Sequence, residues 1–154
     1  MQLRERLTAE MKSAMKAGEK SKLATVRMIQ AALKDKDIEA RGLGKDPASD
    51  EEILSLLQKM IKQRNESAAV YDQGGRPELA GNERAEVVII EEFLPRQMDE
   101  AEMRAAVEAA VAETGAAGPK DMGRVIGALK AQFAGRMDFG KASALVKAAL
   151  AAKG

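Results

Sequence analysis

The chain has 154 residues, no cysteine and no histidine, and its 25 basic and 24 acidic side chains leave a formal charge of +1. That excludes disulfides, thiolate metal sites, cysteine nucleophiles and serine–histidine triads, and leaves proton transfer to carboxylates, lysines or the single tyrosine, Tyr71. No apolar run approaches the roughly 18 residues of a membrane span. The charged N-terminus "MQLRERLTAEMKSAMKAG" also lacks the apolar core of a secretory signal, so a cytoplasmic protein with no membrane association is expected.

Taken in chain order, the elements are all helical. Leu3, Leu7, Met11 and Met15 recur every four residues as the stripe of a first helix that ends near Gly18. Leu23, Val26, Ile29 and Leu33 mark a second helix running toward Gly42, and "GLGKDPA" breaks it. Ser49 with Glu52 forms a capping box for a third helix through Ile53, Leu57, Met60 and Ile61, stopping near "DQGGRP". The run "VVII" (87–90) favours strand locally, but acids flank it and no partner strand is in sight, so a buried fourth helix ending before Pro95 is expected. "EFLPRQMDEAE" then separates two halves. Asp99 with Glu102 caps a fifth helix that Gly115 stops. Pro119 suits the first turn of a sixth, with Met122, Val125, Ile126, Leu129 and Phe133 on one face. Gly135 ends that helix, Asp138 can cap the next, and Leu145, Val146, Ala149 and Leu150 line a seventh. The expected fold is all-α: a four-helix N-terminal subdomain, residues 1–95, followed by a small three-helix tail, residues 96–154.

Charge is unevenly distributed along these elements. Residues 1–48 carry 11 basic and 7 acidic groups, residues 49–98 carry 6 and 10, and residues 119–154 carry 7 and 2. The +5 excess of the last stretch favours an anionic partner. Within it, Gly123 and Gly127 stand four apart inside a helical pattern, with Ala131 one turn further on. Each interior glycine costs a helix about 1 kcal/mol relative to alanine, so something should approach closely: a neighbouring helix or a sugar–phosphate backbone. Lys120, Arg124, Lys130, Arg136, Lys141 and Lys147 surround this stripe, and Lys141 falls at a helix start, where free N–H groups favour an anion. The phosphate-loop pattern G-x-x-x-x-G-K-[ST] is absent. With only Tyr71, Phe93, Phe133 and Phe139 as aromatics, base stacking is disfavoured, and RNA would be met through its backbone and shape. Arg64, beside Asn65 and Glu66, reads as a helix-surface residue with a packed stem or as part of a polar site. The acids around Pro95 are explained by helix capping, so no metal and no cofactor are expected.

The order of these signals resembles the stand-alone GatB/YqeY proteins along nearly the whole chain. The most telling stretches are "KQRNESAAVYDQGGRPELA", "EEFLPRQM" and "GRMDFGKASALVK". The resemblance implies a helical part joined to a helical tail, similar to the C-terminal portion of the B subunit of the glutamine-dependent aminoacyl-tRNA amidotransferase, which holds tRNA. Gly123, Gly127, Gly135, Arg136, Lys141 and Val146 are the positions that match, while Met137 stands where an alanine is common. The kinase-like and amidase sequences that carry the chemistry of that enzyme have no counterpart in these residues. The resemblance therefore implies an accessory protein that binds tRNA or another structured RNA, with no catalytic residue of its own. Its RNA contacts would be Lys120, Gly123, Arg124, Gly127, Lys130, Arg136, Lys141 and Lys147. The alternatives are a protein-interaction adaptor, and a carbon–nitrogen ligase with glutamine as amido-nitrogen donor.

Overall fold

A computed structural model describes residues 2–153, and among them the all-α expectation holds, with seven α-helices and no strand. The chain forms two compact units, one ending at Pro95 and the next beginning at Arg96.

In the first unit, α1 (Leu3–Ala17) and α2 (Lys20–Gly42) form a hairpin. It turns on Gly18, whose φ of 70° only glycine adopts without strain. The Glu19 N–H donates to the Ala14 carbonyl at 3.0 Å, closing the turn as a Schellman-type stop does. α3 (Asp50–Gln73) starts on the expected capping box: the Glu52 N–H donates to Ser49 Oγ at 3.2 Å, and the Ser49 N–H to Glu52 Oε1 at 3.3 Å. α4 (Pro77–Glu91) opens on Pro77, whose missing N–H costs nothing at a first helical position.

Leu3, Leu7, Val26, Ile29, Leu33, Ile53, Leu57, Met60, Ile90 and Phe93 make the core of this unit. Each large aliphatic side chain sealed here contributes about 1.5–3 kcal/mol. Two expectations are corrected by helical geometry. A strict four-residue repeat drifts about 40° per step around a helix of 3.6 residues per turn. Leu3 and Leu7 are therefore buried, Met11 partly so, and Met15 has rotated off the core to 52% exposure. The "VVII" helix is likewise buried on one side only: Val87 and Ile90 face inward, whereas Val88 is 62% exposed.

In the second unit, α5 (Glu100–Thr114) begins on the Asp99/Glu102 capping box and stops at Gly115, with φ of 65°. Pro119 opens a separate short 3-10 turn (Pro119–Asp121) rather than the next helix itself, so α6 runs Met122–Phe133. The reason is Asp121: its Oδ2 accepts from the N–H groups of Ala117 and Gly118, which fixes the entry before the α-helix begins. α7 spans Phe139–Lys153. Met103, Val107, Val111, Val125, Leu129, Met137, Val146 and Leu150 build the core. Met137, the departure from the family pattern, is fully buried in it.

Candidate nucleic-acid interface

The sixth helix sorts its residues by face. Val125 and Leu129 are fully buried, with Met122, Ile126 and Phe133 beside them on the same side. Gly123, Arg124, Gly127, Lys130 and Ala131 are exposed and fall within one arc of about 120° at 100° per residue. Lys120, in the turn just before, is exposed as well. A Cβ added to Gly123 or Gly127 would meet no heavy atom within 4 Å. The helix-packing reading of these glycines therefore has no counterpart within the tail unit: among its described residues, no neighbouring helix occupies the space where a Cβ would be.

The cations on and around this face differ in how they are held. Arg124 Nη2 pairs with Asp121 Oδ1 at 3.1 Å, one turn back, and its side chain stays 55% exposed. Hydrogen bonds from the Ala117 and Gly118 N–H groups, with help from Arg124 and Lys120, hold the Asp121 carboxyl below its ordinary range. One carboxylate thus sits at the edge of the basic face, which the sequence reading did not weigh. Lys130 Nζ lies 5.9 Å from the Phe139 ring centroid, a cation–π distance that ties the end of α6 to the start of α7. Lys120, Lys141 and Lys147 are exposed and make no ion pair among the described residues.

Arg136 and Lys141 do not match their expected surroundings. Arg136 is half-buried: its Nε donates to the Arg96 carbonyl at 3.1 Å, and its own carbonyl accepts from the Met98 N–H at 2.9 Å. Gln97 Nε2 donates to the Gly135 carbonyl at 2.6 Å. The segment 96–98 and the loop at Gly135 and Arg136 are thereby stitched together, so Arg136 has a structural part in addition to any contact it makes outward. At α7, Asp138 Oδ1 already accepts from the N–H groups of Gly140 and Lys141, at 2.9 and 3.2 Å. The anion expected at that helix start is the protein's own carboxylate, and Lys141 contributes only its side chain.

Acidic and basic residues are segregated between the elements of this unit. α5 holds Glu100, Glu102, Glu108 and Glu113 against one cation, Arg104, which pairs with Glu100 at 2.7 Å. From Met122 to Lys153 the only acid is Asp138, against Arg124, Lys130, Arg136, Lys141, Lys147 and Lys153. α7 repeats the pattern of α6, with Gly140, Lys141, Ala144, Lys147 and Ala148 on its exposed side and Ala142, Val146 and Leu150 buried.

In the first unit Arg64 resolves as a tertiary pin, with its side chain 13% exposed. Its Nε donates to Glu86 at 2.8 Å and its Nη1 to the Met60 carbonyl at 3.1 Å. Among the described residues, no cluster of three or more carboxylates is placed to hold a metal ion. Among the described residues, no helix is long and apolar enough to cross a membrane.

The fold and this surface define a small all-helical protein whose distinguishing feature is a smooth, cation-flanked helix face. The chain belongs to the YqeY-like family, whose model, described as "Yqey-like protein", matches residues 4–150. It is similar to proteins named "Altered inheritance of mitochondria protein 41, mitochondrial" from three fungi. The relative from Pyrenophora tritici-repentis is 30% identical over 134 residues, 85% of this chain and 71% of that protein. The relative from Vanderwaltozyma polyspora is 34% identical over 89 residues, and the one from Eremothecium gossypii 31% over 88. Each of these two matches takes in 57% of this chain and 46% of the relative, so the chain spans about half the length of both. The names of these relatives are mitochondrial and give the cytoplasmic expectation no support. The family match carries the YqeY-like part of the resemblance, while the relation to the amidotransferase B subunit rests on the sequence motifs alone.

Proposed function

We propose that the chain is an accessory RNA-binding protein whose tail unit receives structured RNA, tRNA above all, on the outward face of α6. The observation that carries this reading is the pair Gly123 and Gly127: both are exposed, both have empty space where a Cβ would be, and cations stand on either side. A helix keeps two glycines of about 1 kcal/mol each more readily where a ligand's backbone comes close. Lys120, Arg124 and Lys130 supply phosphate contacts, Lys141 and Lys147 extend them onto α7, and Arg136 orders the loop between the two helices. The motif-level likeness to the tRNA-holding portion of the amidotransferase B subunit points the same way. On this reading any amide-forming chemistry belongs to a partner, since the kinase-like and amidase sequences of the amidotransferase have no counterpart in these residues.

Binding of this kind is electrostatic and falls steeply with salt. Five phosphate contacts predict a slope of log K against log salt of about −3.5 to −4.5. Binding of purified tRNA to the full chain at two salt concentrations tests the proposal. Lys120→Ala with Lys130→Ala should weaken binding at low salt and flatten the slope by about 2. No binding at low salt, or an unchanged slope in the double variant, refutes it. Recovery of a stoichiometric protein partner after nuclease treatment would favour the adaptor reading instead.

A further inference from the structure

Met15 differs from every other described methionine. Met60, Met103 and Met137 are at most 5% exposed, and Met11, Met28, Met98 and Met122 are half-buried, whereas Met15 is 52% exposed. It sits in the last turn of α1, beyond the core that Leu3 and Leu7 enter. Its Sδ faces the Arg27 guanidinium of α2, with Nη2 at 3.9 Å, and Arg27 makes no ion pair among the described residues. A weakly accepting sulfur is thus open to solvent and held beside an unpaired five-donor cation.

We propose that Met15 is a site of reversible oxidation by peroxides and that Arg27 receives the oxygen it gains. In the reaction the peroxide O–O bond breaks, its terminal oxygen forms an S–O bond with Sδ, and the remainder leaves as water or an alcohol. Sulfur loses the two electrons that the peroxide gains, with no net proton taken up. In a core, the polar sulfoxide would disrupt packing. Here the sulfur is already solvated, and the new oxygen is a far better acceptor for Arg27 than the thioether was. Oxidation therefore tightens the α1–α2 hairpin across its Gly18 turn instead of loosening it, and a methionine sulfoxide reductase would reverse it.

The test is limited treatment of the full chain with hydrogen peroxide, followed by peptide mass mapping. Sulfoxide should form at Met15 at least about fivefold faster than at Met60, Met103 or Met137, since susceptibility follows exposure. Met15→Gln, whose amide oxygen stands in for the sulfoxide oxygen, separates the role of Arg27 from simple reactivity. It should raise the thermal midpoint by about 1–2 °C when Arg27 is present and not in the Arg27→Ala background. Oxidation of Met15 no faster than of the buried methionines, or the same midpoint change in both backgrounds, overturns the proposal.

Discussion

In the first unit the notable cations end on partners within the fold. Arg4 donates to both oxygens of Asp37 and to the Ala48 carbonyl, Arg6 to the Glu92 carbonyl, Lys22 pairs with Glu10 and Glu92, and Arg64 pairs with Glu86. In the tail, Lys120, Lys141 and Lys147 make no ion pair among the described residues, and they flank positions with no side chain beyond a methyl group. The two units carry similar residue types but use them differently. Arg4, Arg6, Lys22 and Arg64 hold helices and linkers of the first unit in register, although others there, such as Lys12, Lys34 and Lys59, are as solvated as the tail lysines. What sets Lys120, Lys141 and Lys147 apart is that they stand beside glycines and alanines on α6 and α7. Charge counts cannot tell these uses apart; partner geometry can.

The largest effects that would sharpen this contrast lie in the two cores. Leu57→Ala should cost the first unit about 2–5 kcal/mol, and Leu129→Ala should cost the tail a similar amount. Denaturation followed by a probe in each unit should show each variant moving its own transition. A smaller loss, about 1–3 kcal/mol, is expected for Arg64→Ala, which removes the ion pair to Glu86 and the packing of a side chain only 13% exposed. Urea unfolding measures it, and a loss under 0.5 kcal/mol would place Arg64 with the solvated tail lysines (order of magnitude for exposed sites, about 0.5 kcal/mol).

Acid should separate the units more gently. The hydrogen bond from Arg4 holds the Asp37 carboxyl below its ordinary range, with the Ala48 N–H, 2.9 Å away, adding to the effect. A carboxylate depressed on folding contributes stability that is fully present above its unfolded value, about 3.9, and is lost as pH falls through the lower folded value. Asp37→Asn should therefore lose about 0.5–1 kcal/mol near neutrality, as expected for a partly exposed pair. The difference from wild type should shrink below about pH 4. Unfolding at a series of pH values reads this directly. The smallest effect belongs to Lys147→Ala, expected to change stability by less than about 0.5 kcal/mol while weakening RNA binding.

Much of the helical framework was legible because its signals are local. Ser49 with Glu52, Asp99 with Glu102, and the stops at Gly18 and Gly115 act within one turn, and all four appear where the sequence puts them. What failed depends on rotation around the axis or on distant partners. Met15 belongs to a four-residue repeat, and only the accumulated drift of the helix carries it out of the core. The two tail glycines read more readily as a packing surface than as an open one, since sequence spacing gives their face but not whether a neighbour fills it. Arg136 looked like its fellow cations because its partners, around Arg96 and Met98, lie about forty residues earlier in the chain.

The central claim, that the α6 face is open for RNA and not for the fold, is tested most directly at Gly127. Its φ is not in the left-handed region and a Cβ there meets nothing within 4 Å, so a side chain can leave the backbone without strain. Gly127→Leu should stabilise the helix by about 0.5–1 kcal/mol and at the same time weaken tRNA binding at low salt by at least about tenfold. A variant that is more stable and binds tRNA as well as the wild type contradicts the account.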